Sequence, residues 1–253
     1  MRQSDWYKHS WSLDIKNSSW TEDTENQVSF IVQTLGLTGK EKILDLACGY
    51  GRHSLSLARK GFSVTGVDIT EAYINDAVET AAEQNLNVTF IHSDIRDINF
   101  DGEFDVVLNL ADGAIGYLEN DDENLKIFDV IAKALRPGGK HFMDLCNADH
   151  AERYFPKTNW EAGEKSLALA KFDWNPITRQ MTYAGWDIPY GEPAKKPQIV
   201  MEDANPYRLY SIDEIEDILS RRDMKILSTF SNYYGKEATV REIQLMVYSQ
   251  KLC

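Results

Sequence analysis

A short apolar run that stops on an acidic residue and enters a two-glycine turn narrows the possible folds more than any other feature of this chain. It reads Ile43-Leu44-Asp45-Leu46-Ala47-Cys48-Gly49-Tyr50-Gly51-Arg52-His53. A buried strand ends, the backbone folds back sharply, and an amphipathic helix begins. Gly49 and Gly51 carry no Cβ, so the chain there can take φ > 0 and a ligand can lie against bare backbone. Open α/β sheets bind ligands at such turns, at the carboxyl ends of parallel strands.

The downstream residues narrow the choice of ligand. A dinucleotide site wants G-x-G-x-x-G/A, with pyrophosphate on the helix N-terminus. Here the third small position is Ser54. The next strand candidate, Ser63 to Val67, ends in Asp68. An acidic residue about 20 residues past the turn can accept both hydroxyls of a ribose. Asp94 follows the third strand candidate, Val88 to His92, where an adenine is expected. The competing reading of both carboxylates is a helix cap or a surface turn. The segment therefore suits an adenosine-bearing ligand better than a pyrophosphate.

At these residues the chain resembles the class I S-adenosylmethionine-dependent methyltransferases. The matching blocks are Ile43 to Arg52, Val64 to Ile69, His92 to Ile95, Phe104 to Leu110 and Leu135-Arg136-Pro137-Gly138-Gly139-Lys140, in the family's order and spacing. The resemblance runs from about Val28 to Leu145 and resumes from about Tyr207 to Gln250. It departs from the family at Ala47, which replaces the first motif glycine with another small residue. It implies a doubly wound, seven-stranded, mostly parallel Rossmann-like sheet, S-adenosylmethionine as cofactor and S-adenosylhomocysteine as product. Asp45, Ala47, Gly49 and Gly51, with Cys48 in the same turn, would form the floor under the methionine part. Asp68 would hold the ribose and Ile69 would pack on the adenine. Asp94 would accept from the adenine amino group beside the Ile95 backbone. Leu110 would meet the cofactor amino group through its carbonyl.

Along the chain, strands and helices alternate as βαβ units of a parallel sheet require. Val28, Ile31, Val32 and Leu35 predict a helix over about Glu22 to Leu35. Strands are expected at Lys42–Leu46, Ser63–Val67, Val88–His92, Phe104–Leu110 and Lys140–Leu145, with helices at Gly51–Lys60, Thr70–Glu83 (capped by Thr70) and Asn120–Leu135. The rhythm breaks over Asn147 to Pro206, which holds six prolines and two strand-like runs joined by Asn175-Pro176-Ile177-Thr178. This predicts an inserted antiparallel hairpin. The organisation expected is an amino-terminal aromatic segment and helix over 1–36, a cofactor domain over 37–146 and 207–253, and an inserted lid or substrate subdomain over 147–206. Ser211 and Glu214 have capping-box spacing, and the closing strands are expected at Lys225–Asn232 and Arg241–Ser249.

The net charge of −13 repels polyphosphate and disfavours DNA or RNA as substrate. Cys48, Cys146 and Cys253 form no CxxC pair and no metal spacing, so no metal is expected and a magnesium-dependent catechol-type mechanism is unsupported. The odd cysteine count and the lack of a leader point to a reducing cytoplasm. No apolar run approaches the ~18 residues of a membrane span. A monomer and a homodimer both remain open.

Methyl transfer from a sulfonium needs alignment and exclusion of water. A base is needed only if the acceptor arrives protonated. The acceptor is expected to be a small molecule, methylated at O, N or C. Asp112, Tyr117 and His150 are the candidates for orienting it or taking its proton, against plainer roles as a cap, a packed ring and a solvated loop residue. Tyr7, Trp11 and Trp20, and Trp174 and Trp186 of the insertion, are candidates for contacting it, by cation–π attraction or by stacking. The insertion's aromatics forming their own small core is the competing reading. A cofactor-binding sensor or scaffold without turnover, and a nucleotide-dependent oxidoreductase, are the alternative function classes.

Overall fold

The computed structural model describes residues 5–193 and 204–253. The first four residues, and Pro197 with its neighbours inside the insertion, lie outside the described residues.

Seven strands make the main sheet: β1 (Lys42–Leu46), β2 (Ser63–Asp68), β3 (Val88–His92), β4 (Phe104–Asn109), β5 (Leu135–Cys146), β10 (Met224–Phe230) and β11 (Gln244–Lys251). Their order is β10-β11-β5-β4-β1-β2-β3, and β11 alone runs against the rest. Chain order reverses on either side of β1, so the loops after β1 and β4 part there and leave a crevice.

Alternation along each strand separates two apolar layers. Leu44, Leu46, Val67, Val107 and Met143 face the helices α4 (Asp121–Ala134) and α6 (Ile212–Ser220), through Ile127, Phe128, Ile131, Ile215 and Leu219. Ile43, Val64, Val106, Leu108 and Phe142 face α1 (Thr24–Leu35) and α2 (Arg52–Arg59), through Val28, Ile31, Leu35 and Leu57. Each such fully buried side chain contributes about 1.5–3 kcal/mol. Asn120 caps α4 by accepting from Glu123 N, and Ser211 and Glu214 form the capping box of α6.

Local chemistry and structure part company at several points. Thr70 stands before α3 (Glu71–Glu83), but its side chain makes no capping bond. The Asp68 carboxylate takes the Thr70 N–H instead, at 2.8 Å. β5 begins at Leu135 rather than Lys140, because Leu135 pairs with Phe104 across a register shift.

The insertion is larger than one hairpin. Helix α5 (Ala148–Tyr154) precedes an antiparallel sheet of β6 (Lys157–Ala162), β7 (Ser166–Asn175), β8 (Gln180–Pro189) and β9 (Pro206–Arg208), in the order β6-β7-β8-β9. The β7–β8 turn is held by Asn175 Oδ1, which accepts from the N–H groups of Ile177 and Thr178. Phe172, Trp174, Met181 and Tyr207 pack on Ala148 and Ala151 of α5. The break at 206/207 expected from composition falls inside β9, which docks on the loop after β4. The Arg208 N–H donates to Gly116 O at 2.9 Å.

Candidate active site

The crevice between the β1 and β4 loops opens into a partly enclosed, largely apolar cavity. Its floor is the turn after β1. Ala47 (φ 54°) and Gly49 (φ 57°) turn the backbone into the left-handed region. A Cβ on Gly49 would project into open space and meet only Tyr73, at 4.0 Å. Gly51 differs: it does not line the cavity, and a Cβ there would stand 2.7 Å from the Phe90 ring and 3.2 Å from Ala77. Its missing side chain lets α2 start against β3 and α3.

Carboxylates bound the cavity. Asp68 Oδ2 accepts from Gly49 N and Oδ1 from Thr70 N, both at 2.8 Å. Burial raises its carboxyl, and these two N–H groups oppose that. Asp45 is buried and accepts from Ser54 Oγ at 2.6 Å; burial lifts its pKa to about 6. Ser54 thus fills the place of the third dinucleotide-motif glycine with a hydrogen-bonded side chain. Arg52 is the one Lys or Arg lining the cavity among the described residues. Its Nη1 donates to Thr24 and Gln27, and its guanidinium lies 5.2 Å from the Trp20 ring centre. His53, bonded to Gln27, is driven well down by burial and by Arg52, and stays neutral.

The loop after β4 is a left-handed turn. Ala111, Asp112, Gly113 and Ala114 have φ of 52°, 65°, 51° and 65°. Each non-glycine residue there costs about 1–2 kcal/mol, and packing must hold it. The buried Asn109 amide donates to Gly113 O at 2.9 Å and to Leu46 O at 3.3 Å, and Asp112 N donates to Asp144 O at 2.8 Å. The Asp112 side chain faces away from the cavity and accepts from Tyr117 OH at 3.0 Å and Cys146 N at 3.2 Å. Burial, with Asp144 adding repulsion, lifts Asp112 to about 6. The folded state therefore keeps a proton that the unfolded chain releases from about pH 4 upward. The sign follows: this group's contribution is full below about pH 4 and is lost as pH rises through about 6. Asp112→Asn should flatten that slope, sparing on the order of 1–3 kcal/mol between pH 4 and 7.5. Urea midpoints at both pH values check it.

The amino-terminal segment covers the cavity with three short 3₁₀ turns, Trp6–Lys8, Leu13–Asn17 and Ser19–Thr21. Tyr7, Trp11, Ile15 and Trp20 line its underside. Trp6 and Trp11 lie against Tyr117, with ring centres 5.2 and 6.0 Å away. Lys16 pairs with Asp76 at 2.5 Å, and Tyr73 OH donates to Ser12 O at 2.9 Å.

The cavity thus brings together Asp45, Ala47, Cys48, Gly49, Asp68, Ile69, Asp94, Ile95, Leu110, Tyr117, Tyr7, Trp11 and Trp20 from across the chain. Trp174 and Trp186 do not line it. Trp174 packs on α5 and donates its indole N–H to Glu152 at 2.6 Å, and Trp186 lies opposite Leu169 in the β7–β8 ladder. His150 is also outside it. It is buried on α5 against Tyr154 and Phe155, with Nδ1 3.2 Å from Val240 O, and burial lowers its pKa. Sequence reasoning missed Arg52, Thr70, Tyr73 and Ile15. Arg52 stood in the motif itself, whereas Ile15 carries no periodic signal.

Residues 43–139 match the model of the methyltransferase domain family. That match, together with the fold, supports the resemblance of this segment to the class I S-adenosylmethionine-dependent methyltransferases. YqeM of Bacillus subtilis, which carries a provisional methyltransferase name, is 25% identical over 221 residues, covering 85% of this chain and 86% of that one. A solved S-adenosylmethionine-dependent methyltransferase from Clostridium acetobutylicum superposes with a TM-score of 0.73 at 17% identity, covering 98% and 99% of the two chains. The 1,6-didemethyltoxoflavin-N1-methyltransferase of Burkholderia thailandensis, solved with its acceptor and S-adenosylhomocysteine, superposes with a TM-score of 0.63 at 14% identity, covering 100% and 92%. S-adenosylmethionine is the cofactor that the methyltransferase-domain match implies for this chain. The residues present fit it: at Gly49 only the Tyr73 ring edge, 4.0 Å away, comes near the missing Cβ, and a cation and several carboxylates surround a largely apolar space. No helix among the described residues is long and apolar enough to cross a membrane.

Proposed function

We propose that this enzyme methylates a small-molecule acceptor held between the amino-terminal aromatics and the left-handed turn after β4. The observation that carries this reading is the continuity of one cavity. One end is backbone turn and carboxylate, the other is Tyr7, Trp11, Trp20 and Tyr117, and the amino-terminal segment lies across both. A cover that close leaves room for a small molecule and little for a polymer. The Burkholderia enzyme, whose name gives a small heteroaromatic acceptor, is consistent with that size class.

When bound, S-adenosylmethionine supplies a methyl group on a positively charged sulfur. The chain's residues hold and orient. Asp68 would present its free lone pairs to the ribose hydroxyls, and Asp94 its own to the adenine amino group beside the Ile95 backbone, with Ile69 packing on the adenine. Arg52 faces the methionine carboxylate as its opposite charge. Asp45, Ala47, Cys48 and Gly49 would form the floor, and the Leu110 carbonyl would accept from the cofactor amino group. Tyr7, Trp11, Trp20 and Tyr117 exclude water from the acceptor. If the acceptor arrives protonated, Tyr117 is the cavity group placed to orient it, with Asp112 behind its hydroxyl; His150 is not so placed. By the same reading, residues 5–21 form a cover, and β9, which closes the inserted sheet, braces the β4 loop through Tyr207 and Arg208.

Incubation with methyl-labelled S-adenosylmethionine and metabolite pools, followed by mass spectrometry, tests the reading. Label is expected in a small product. Label only in protein or RNA would overturn the acceptor class, and no label from any pool would leave a binding protein without turnover. Asp68→Ala should weaken S-adenosylhomocysteine binding by about 1–3 kcal/mol through lost charge-assisted hydrogen bonds. Unchanged affinity by calorimetry would count against Asp68 as the ribose residue.

A further inference from the structure

The Arg96 guanidinium has five N–H donors, and all of them are used. Nε and Nη2 fork onto Asp94, at 3.0 Å to Oδ1 and 2.6 Å to Oδ2. Nη2 also donates to the Tyr7 hydroxyl at 2.9 Å. Nη1 reaches Glu119 Oε2 at 3.1 Å and Glu123 Oε2 at 2.6 Å. Tyr7 in turn donates to Glu119 Oε1 at 2.9 Å. The arginine side chain is 14% exposed. Asp94 and Tyr7 line the cavity, whereas Arg96, Glu119 and Glu123 stand behind its wall. Tyr7 belongs to the cover and is 3% exposed. One cation therefore grips a cofactor-side carboxylate and the underside of the cover at the same time.

The arrangement also orients Asp94. A carboxylate has about four acceptor positions. Arg96 fills three of them: Nε and its backbone N at Oδ1, and Nη2 at Oδ2. The position left is on Oδ2. Without Arg96, Asp94 is free to rotate and loses the fork that holds it; Lys126 still pairs with Glu123 at 2.6 Å, but no hydrogen-bonded cation joins Asp94 and Glu119. Tyr7 then borders a cluster of like charges, which pushes the cover outward.

We propose that Arg96 is a positioning residue that couples cofactor binding to closure of residues 5–21, by fixing Asp94 toward the adenine and Tyr7 over the cavity together. The proposal rests on the reading of Asp94 as the adenine partner. Lysine keeps the charge but cannot form the fork, so Arg96→Lys separates geometry from charge.

The experiment is hydrogen–deuterium exchange of residues 5–21 with and without saturating S-adenosylhomocysteine, alongside calorimetric titration of the same ligand. In the native enzyme the ligand should slow exchange across this segment at least tenfold. Arg96→Lys should still bind, roughly tenfold more weakly, and lose most of that protection. Tyr7→Phe leaves the Asp94 fork intact, so it should lose protection with an affinity loss no larger than that lost coupling, up to about tenfold; it also serves if the arginine variants fold poorly. Full protection in Arg96→Lys or in Tyr7→Phe would overturn the coupling while leaving the adenine reading untouched. Unchanged affinity in Asp94→Asn would overturn the adenine reading itself, and the proposal with it.

Discussion

Gly49→Val is expected to abolish cofactor binding, lowering affinity for S-adenosylhomocysteine by at least ~100-fold, about 2.8 kcal/mol. Two physical effects combine. Gly49 sits at φ 57°, where a β-branched residue is strained. Its Cβ direction opens into the cavity toward Tyr73, so the added methyl groups would occupy the cofactor's space. Gly49 N also donates to Asp68 Oδ2, and a shift of the turn would loosen the carboxylate proposed for the ribose. Gly102 isolates the site effect. It has a similar φ of 66°, no atom within 4 Å of where a Cβ would stand, and a place outside the cavity lining. Gly102→Val should lose comparable stability and bind normally. Calorimetric titration decides the matter, and normal binding by Gly49→Val would mean the cofactor lies elsewhere.

Gly116→Ala is expected to give the largest loss of stability. A Cβ at Gly116 would stand 1.9 Å from the Arg208 carbonyl oxygen, a backbone atom that no rotamer change can move. The β4 loop and β9 must separate, which breaks the Arg208 N to Gly116 O bond and disturbs the Tyr117–Tyr207 contact. Overpacking, the φ of 90° and the lost hydrogen bond together are worth about 3–5 kcal/mol. That is a melting temperature lower by roughly 6–20 °C for a chain of this size. Scanning calorimetry checks it against Gly102→Ala, for which a loss of about 1 kcal/mol is expected. Equal melting of the two variants would mean that β9 is not docked on this loop.

The part of the site legible in the chain is the part built from short segments. Asp68 and Asp94 each follow a strand whose apolar run ends at a parallel-sheet terminus, and the β1 turn announces itself through its glycines. At Gly51 the same signal has a second source. Glycine marks close approach, and the protein group that approaches here is the Phe90 ring. The glycines of the β4 loop repeat the lesson, since Gly113 makes room for Asn109 and Gly116 for Arg208. The tryptophans divide for a similar reason. Trp11 and Trp20 turn under the cover, while Trp174 turns onto a helix, α5, that the alternation of the insertion did not reveal. Composition treats all of them alike, because it contains no record of which face meets which neighbour.

Periodicity, capping residues and turn glycines act over a few positions, so the strands, most of the helices and the cofactor turn follow from the local chemistry of the chain. Other features depend on contacts between distant positions. The left-handed run at 111–114 is strained on its own and persists through Asn109 and Asp144. Tyr7 reaches the cavity through Arg96, 89 positions away. Such contacts exist only when the sheet has assembled and the energy of burial can hold groups that no neighbouring residue would place there.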